Sequence, residues 1–162
     1  MSRLDSFIRR LEAQRACLDL AAELIEQVPG VIFELGLGNG RTYDHLRRLL
    51  PDREIYVFDR QIAAHPDCVP DADHLFVGDF RDSLPEAKTR FAGRVSLIHA
   101  DIGAGNLNAN AAMARGIAAH LPELLCARGL IVSDQELPLA DAMPLSPPNR
   151  IDRGRYFLYR FR

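Results

Sequence analysis

Apolar residues near the start of the chain fall at helical spacing. Leu4, Phe7, Ile8, Leu11, Leu18, Ala21 and Ile25 recur every three, four or seven positions, and Leu20 and Leu24 widen the stripe. This pattern predicts a helix over 2–27, broken by Pro29-Gly30. The pattern then changes to short apolar runs rich in β-branched and aromatic residues. "VIFEL" (31–35), "EIYVFD" (54–59), "HLFVGD" (74–79), "RVSLIHAD" (94–101) and "GLIVSD" (129–134) read as strands, the first of them buried on both faces. Helical patterns lie between them. One presents Tyr43, Leu46, Leu49 and Leu50 inward and ends at Pro51-Asp52. Another is expected to open at Ser83-Leu-Pro-Glu86, which fits a capping box with proline just inside the start, and to run towards Phe91. A third, alanine-rich, covers 106–125 with an interruption at Pro122. The segment "QIAAHPDCVPDAD" (61–73) has room for one helical turn.

Strands alternating with helices in this rhythm imply βαβ units and a parallel sheet covered on both faces. The expected fold class is therefore α/β: a three-layer, Rossmann-like, doubly wound, mostly parallel sheet preceded by an N-terminal helix. The ending departs from that rhythm. Residues 135–154 carry Pro138, Pro144, Pro147 and Pro148 and read as an ordered loop, and "RYFLYRFR" (155–162) as a single antiparallel last strand beside the fifth. Its arginines read as protection of a sheet edge. No internal repeat is present, and 162 residues suit one domain. It divides into an N-terminal helix (2–28), a ligand-binding core (30–135), and a proline-rich lid loop with the last strand (136–162).

Composition narrows the picture by exclusion. A net charge of -2 gives no basis for binding nucleic acid or an anionic membrane. No apolar stretch approaches the roughly 20 residues of a bilayer span, and no signal-peptide core stands at the start, so a cytoplasmic protein is expected. Cys17, Cys68 and Cys126 are widely spaced and read as reduced, buried thiols.

The chemistry starts at "ELGLGNG" (34–40). A glycine turn between strand and helix brings main-chain amides and the positive end of the helix towards a ligand. A dinucleotide fingerprint wants glycine at the first, third and sixth positions; from Gly36 the third is Gly38, but the sixth is Arg41. A phosphate loop would need a lysine, and none follows. What stands here is Glu34, then Gly36, Gly38 and Gly40, with Leu37 between the first two. This arrangement resembles motif I of class I S-adenosylmethionine (SAM)-dependent methyltransferases. A carboxylate at the mouth of the loop suits a cationic ligand without phosphates.

The resemblance covers roughly residues 30–135 and implies further roles. Asp59, followed by Arg60, closes the second strand where the family holds the ribose hydroxyls. Gly78-Asp79-Phe80 stands where it places an acid for the adenine amino group and an apolar neighbour for the ring. A helix N-cap is the other reading of Asp79. The family typically closes with a helix and two further strands after the fifth; here one strand is expected.

Chemistry belongs at the carboxyl edge of the strands, where Glu34, Asp59, Asp79, His99, Asp101 and Asp134 gather. His99 and Asp101 are the candidate catalytic residues, either one serving as the base that removes the acceptor's proton, and Asp101 also faces the cofactor. A second reading resembles the metal-dependent catechol- and caffeoyl-type O-methyltransferases. It would place a divalent cation such as Mg2+ on Asp101, Asp134 and Gln135. A third has Asp101 capping the next turn while His99 packs beside the cofactor. The function implied is methyl transfer from SAM to a small-molecule acceptor at oxygen, with residues 135–154 as acceptor lid. The alternative is a module that binds SAM without catalysis. The apolar stripe of the first helix reads chiefly as a cover and leaves homo-oligomerisation open.

Overall fold

The computed structural model describes residues 2–162. The first helix, α1 (Arg3–Leu24), starts at a complete capping box: Asp5 N–H donates to the Ser2 hydroxyl, and Ser2 N–H donates to the Asp5 carboxylate at 2.9 Å. The chain then runs β1 (Val31–Leu35), α2 (Arg41–Leu49), β2 (Ile55–Asp59), two 3-10 turns, β3 (Leu75–Val77), α3 (Phe80–Phe91), β4 (Val95–Ala100), α4 (Leu107–Ala118), α5 (Leu121–Leu124), β5 (Leu125–Ser133), β6 (Met143–Leu145) and β7 (Phe157–Arg160). The interruption expected at Pro122 falls at His120, with the proline inside the first turn of α5, where its missing N–H is tolerated.

All seven strands form one sheet in the order β3-β2-β1-β4-β5-β7-β6. The first five are parallel, and β7 and β6 add antiparallel pairs. Among the described residues both strands after the fifth are present, where one was expected, and no helix lies between the fifth and them. The sheet edge is β6 rather than β7, so edge protection falls to Pro144 instead of the terminal arginines. Arg160 lies against the domain, reaching the Leu24 carbonyl at 3.4 Å.

The start of α3 also differs from expectation. Asp79 caps it by accepting from Arg81 N–H at 2.9 Å. Ser83 then lies inside the helix, its hydroxyl donating back to the Asp79 carbonyl at 3.1 Å. The earlier cap wins because Asp79 stands directly after a strand, where the chain must already turn. The segment 61–73 forms short 3-10 turns at Pro66–Cys68 and Ala72–His74. Of the three thiols only Cys17 is buried, and burial pushes it up to about 11; Cys68 and Cys126 are half-buried.

Alternation along the strands sends successive side chains to opposite faces. Phe33, Leu35, Phe58, Ile98 and Ile131 pack under α3, α4 and α5. Ile32, Leu97, Leu130, Val132 and Leu158 pack under α1 and α2.

Candidate active site

The strand order turns between β1 and β4, so their carboxyl ends open a crevice. The glycine loop lies there with all three glycines at positive φ: Gly36 at 92°, Gly38 at 52° and Gly40 at 84°. A side chain on Gly36 would strike the Asp101 carbonyl, and one on Gly40 would meet Cys68 at 2.5 Å. Gly38 faces open space. Two of the glycines therefore permit close backbone packing, and the middle one leaves room beside the loop.

Asp59 fastens the loop from the neighbouring strand. One of its oxygens accepts Leu37 N–H at 2.8 Å and Gly38 N–H at 3.1 Å; the other accepts only Gln61 N–H, at 3.3 Å. Those two loop amides are spent on Asp59 rather than directed outward, and its second oxygen keeps acceptor capacity. Nearby, Gly78 N–H donates to the Asp59 carbonyl at 2.9 Å, which brings Asp79 and Phe80 to the same edge. Arg81 clasps Asp79 through two 3.0 Å bonds and Arg60 stands 3.6 Å away, so the Asp79 carboxyl is held below the usual carboxylate range. Phe80 is buried and packs into the core.

Glu34 and His99 do not stand at the mouth of the crevice. Both are fully buried, paired in register across β1 and β4, with Glu34 accepting from His99 Nδ1 at 2.7 Å and from the Thr42 hydroxyl. The other His99 nitrogen meets the Tyr156 hydroxyl at 3.1 Å. Burial opposes charge on the imidazole, but the adjacent Glu34 carboxylate outweighs it and the ring's pKa lies above its ordinary value. Burial, with Asp101 adding to it, raises Tyr156 well above the usual phenol range.

Asp101 and Asp134 form the next layer up. The Asp101 carboxylate is held by Arg10 and by Gln14, whose amide donates at 2.8 Å; both partners come from α1. Asp134 accepts Ile102 N–H and Gly103 N–H at 3.0 Å each and Gln135 Nε2 at 3.1 Å, and burial beside Asp101 raises its pKa. Arg10 also stands 3.9 Å from Asp134. The side chains named for a divalent cation are thus committed to amides and a guanidinium. Among the described residues no group of three His, Cys, Asp or Glu side chains is placed to hold a metal ion.

A cavity of about 250 Å³ lies above this layer, walled by Phe7, Arg10 and Gln14 from α1 and by Gly38, Asp101 and Gly103 from the sheet edge. No residue of 135–154 lines it. That segment is tied down instead, by Leu137 N–H donating to Tyr159 at 3.0 Å and by β6. The cover is α1. Sequence reasoning missed Arg10, Gln14 and Tyr156 as members of the site. One signal was available: Gln14 is a polar residue inside the apolar stripe between Leu11 and Leu18.

The family described as S-adenosyl-L-methionine methyltransferase matches residues 1–161. The crystal structure of an S-adenosyl-L-methionine methyl transferase from Silicibacter pomeroyi DSS-3 is 44% identical, covers 99% of this chain and 98% of that chain, and superposes with a TM-score of 0.94. The antibiotic-resistance methyltransferase Kmr is 16% identical over 90% of this chain and 91% of that chain, with a TM-score of 0.51. MycE, a methyltransferase of the mycinamycin biosynthetic pathway in complex with Mg, SAH and mycinamycin VI, is 17% identical over 89% of this chain and 45% of that chain, with a TM-score of 0.58. These last two share the fold. No curated protein matches the chain. No described helix is long and apolar enough to cross a membrane.

Proposed function

Because the chain belongs to the S-adenosyl-L-methionine methyltransferase family, we propose that it methylates a small-molecule acceptor, and does so at oxygen. The observation that carries this reading is the 250 Å³ cavity beside Gly38, which α1 of the same chain covers and which has the Asp101 carboxylate on its wall. A space of that size suits a small ligand. A carboxylate on its wall suits a hydroxyl acceptor, whose proton must be taken up as the new bond forms.

The residues present fit the methyl donor. Gly38 leaves space against the main chain, and the Asp59 oxygen that accepts Gln61 N–H keeps acceptor capacity for a ribose hydroxyl. Asp79 and Phe80 stand at the same edge for the adenine. When bound, the donor supplies a methyl group on a sulfonium, open to in-line displacement. The protein's share is alignment and proton removal. Asp101 accepts the acceptor's proton once Arg10 releases it. Gln14 keeps the carboxylate oriented, and the amide of Gln14 in turn stands beside the Tyr156 hydroxyl. His99 is enclosed, with both ring nitrogens occupied, and acts as a positioning residue beneath this chain.

Calorimetric titration with SAM and S-adenosylhomocysteine, followed by labelled methyl transfer to panels of small alcohols, phenols, acids, amines and thiols, tests the proposal. Oxygen-methylated products are expected; products methylated only at nitrogen or sulfur would overturn the acceptor assignment. In the same titration Asp59→Ala should weaken SAM binding roughly 100-fold, as expected for two lost charge-assisted hydrogen bonds. Unchanged affinity would remove Asp59 from the ribose site.

A further inference from the structure

A second cavity, of about 370 Å³, opens between α1 and α2. It shares Leu11, Gln14, Arg41 and Thr42 with the cavity at Gly38 and Asp101, so the two adjoin along α1 across those side chains. Ile8, Leu11 and Leu18 give it an apolar wall. Leu18 forms a buried floor, while Ile8 is left 45% exposed by the rest of the chain. An apolar wall inside a concave surface is the usual setting of a small-ligand site.

Four ionisable side chains line this cavity. His45 is taken by Asp19 at 2.8 Å. Glu12 is the one carboxylate lining the 370 Å³ cavity. Arg15 and Arg41 have no carboxylate within salt-bridge distance among the described residues; Arg41 lies over the Phe7 ring, 5.9 Å from its centroid. Two unpaired guanidinium groups beside an apolar wall suit a flat, apolar molecule bearing an oxyanion, because guanidinium pairs with planar oxyanions through parallel hydrogen bonds.

We propose that this groove holds the apolar body of the methyl acceptor, and that the acceptor carries a carboxylate or comparable oxyanion paired with Arg15 and Arg41. The inference rests on the small-molecule reading above and adds the chemical class of the substrate. Its probe is 8-anilinonaphthalene-1-sulfonate, which combines apolar rings with one anionic group, titrated by fluorescence into the full chain. Saturable binding at one site is expected. Arg15→Gln and Arg41→Gln should each weaken it about tenfold, and Ile8→Asp should abolish it. Leu107→Ser, which alters an apolar residue that is 84% exposed outside the groove, should leave it unchanged. The neutral N-phenyl-1-naphthylamine should bind more weakly and be indifferent to both arginines.

Equal binding of the two probes, arginine variants indistinguishable from wild type, or a loss in Leu107→Ser matching that in Ile8→Asp would each overturn the proposal. S-adenosylhomocysteine titrated into the same samples separates the two levels. Normal binding of it alongside any of those results overturns the groove assignment alone, whereas no binding to the wild-type chain overturns the donor site beneath it as well.

Discussion

Phe33 and Glu34 are neighbours on β1 and face opposite sides of the sheet, and the two sides are built on different principles. Beneath Phe33 the contacts are aromatic: its ring lies 4.7 Å from Phe58 and 5.3 Å from Phe91, and Phe58 stacks on Phe76 at 4.6 Å. Shape and burial hold that side together. On the other side Ile32, Leu97, Leu130 and Val132 make an apolar lower half, and then Glu34, His99, Asp101 and Asp134 follow towards the carboxyl ends. Polarity rises along a single face under α1 until it reaches the cavity. The aromatic face anchors the sheet, and the graded face delivers charge to one edge of it.

The sharpest way to break this contrast is Glu34→Leu. It leaves His99 enclosed without its carboxylate, and loss of one member of a buried pair should reduce stability by about 4 kcal/mol in urea unfolding. The loss should also depend on pH. The folded-state pKa of His99 is raised above the unfolded value of about 6.5. Its contribution is therefore fully present below that unfolded value and fades as pH rises through the folded one. The gap between wild type and Glu34→Leu should narrow accordingly, and a pH-independent gap would show that the pair is not ionic.

Phe33→Ala should cost about 3 kcal/mol through the cavity it leaves, by the same measurement and equally at every pH between 6 and 9. Were its effect to vary with pH as Glu34→Leu does, the distinction between the faces would fail. The smallest change is Tyr156→Phe, which removes one hydroxyl from the chain between His99 and Gln14. A stability loss of about 1 kcal/mol is expected. In a methylation assay it should lower kcat more than it raises KM, because it loosens the layer that orients Asp101 without touching substrate. An unchanged kcat would confine Tyr156 to a structural part.

The difference between the faces also explains what the sequence could disclose. The five parallel strands, the glycine loop and the first helix follow from patterns within a few residues, and α1 lies within the range its apolar stripe indicated. The loop's neighbours at Asp59 and Asp79 follow from motif spacing. The Glu34–His99–Tyr156 chain does not, because it depends on the register between β1 and β4 and on a residue 57 positions beyond His99. Nor does the clasp of Arg10 and Gln14 on Asp101, which spans about 90 positions and depends on how α1 is docked. The strand β6 escaped notice because three residues with a central proline show no alternation. At α3, two plausible caps stood four residues apart, and only the preceding strand decided between them.

The order of the last two strands has a consequence for how the sheet is completed. Met143–Leu145 pairs only with Phe157–Arg160, which is made later and which inserts between it and β5. On the ribosome, β6 emerges with no hydrogen-bonding partner while β5 already offers a bare edge. The closing strand must then reach both at once, late and over a long loop. Pro144, Pro147 and Pro148 keep the waiting segment short of main-chain donors in the meantime, which makes it a poor template for strands of other nascent chains.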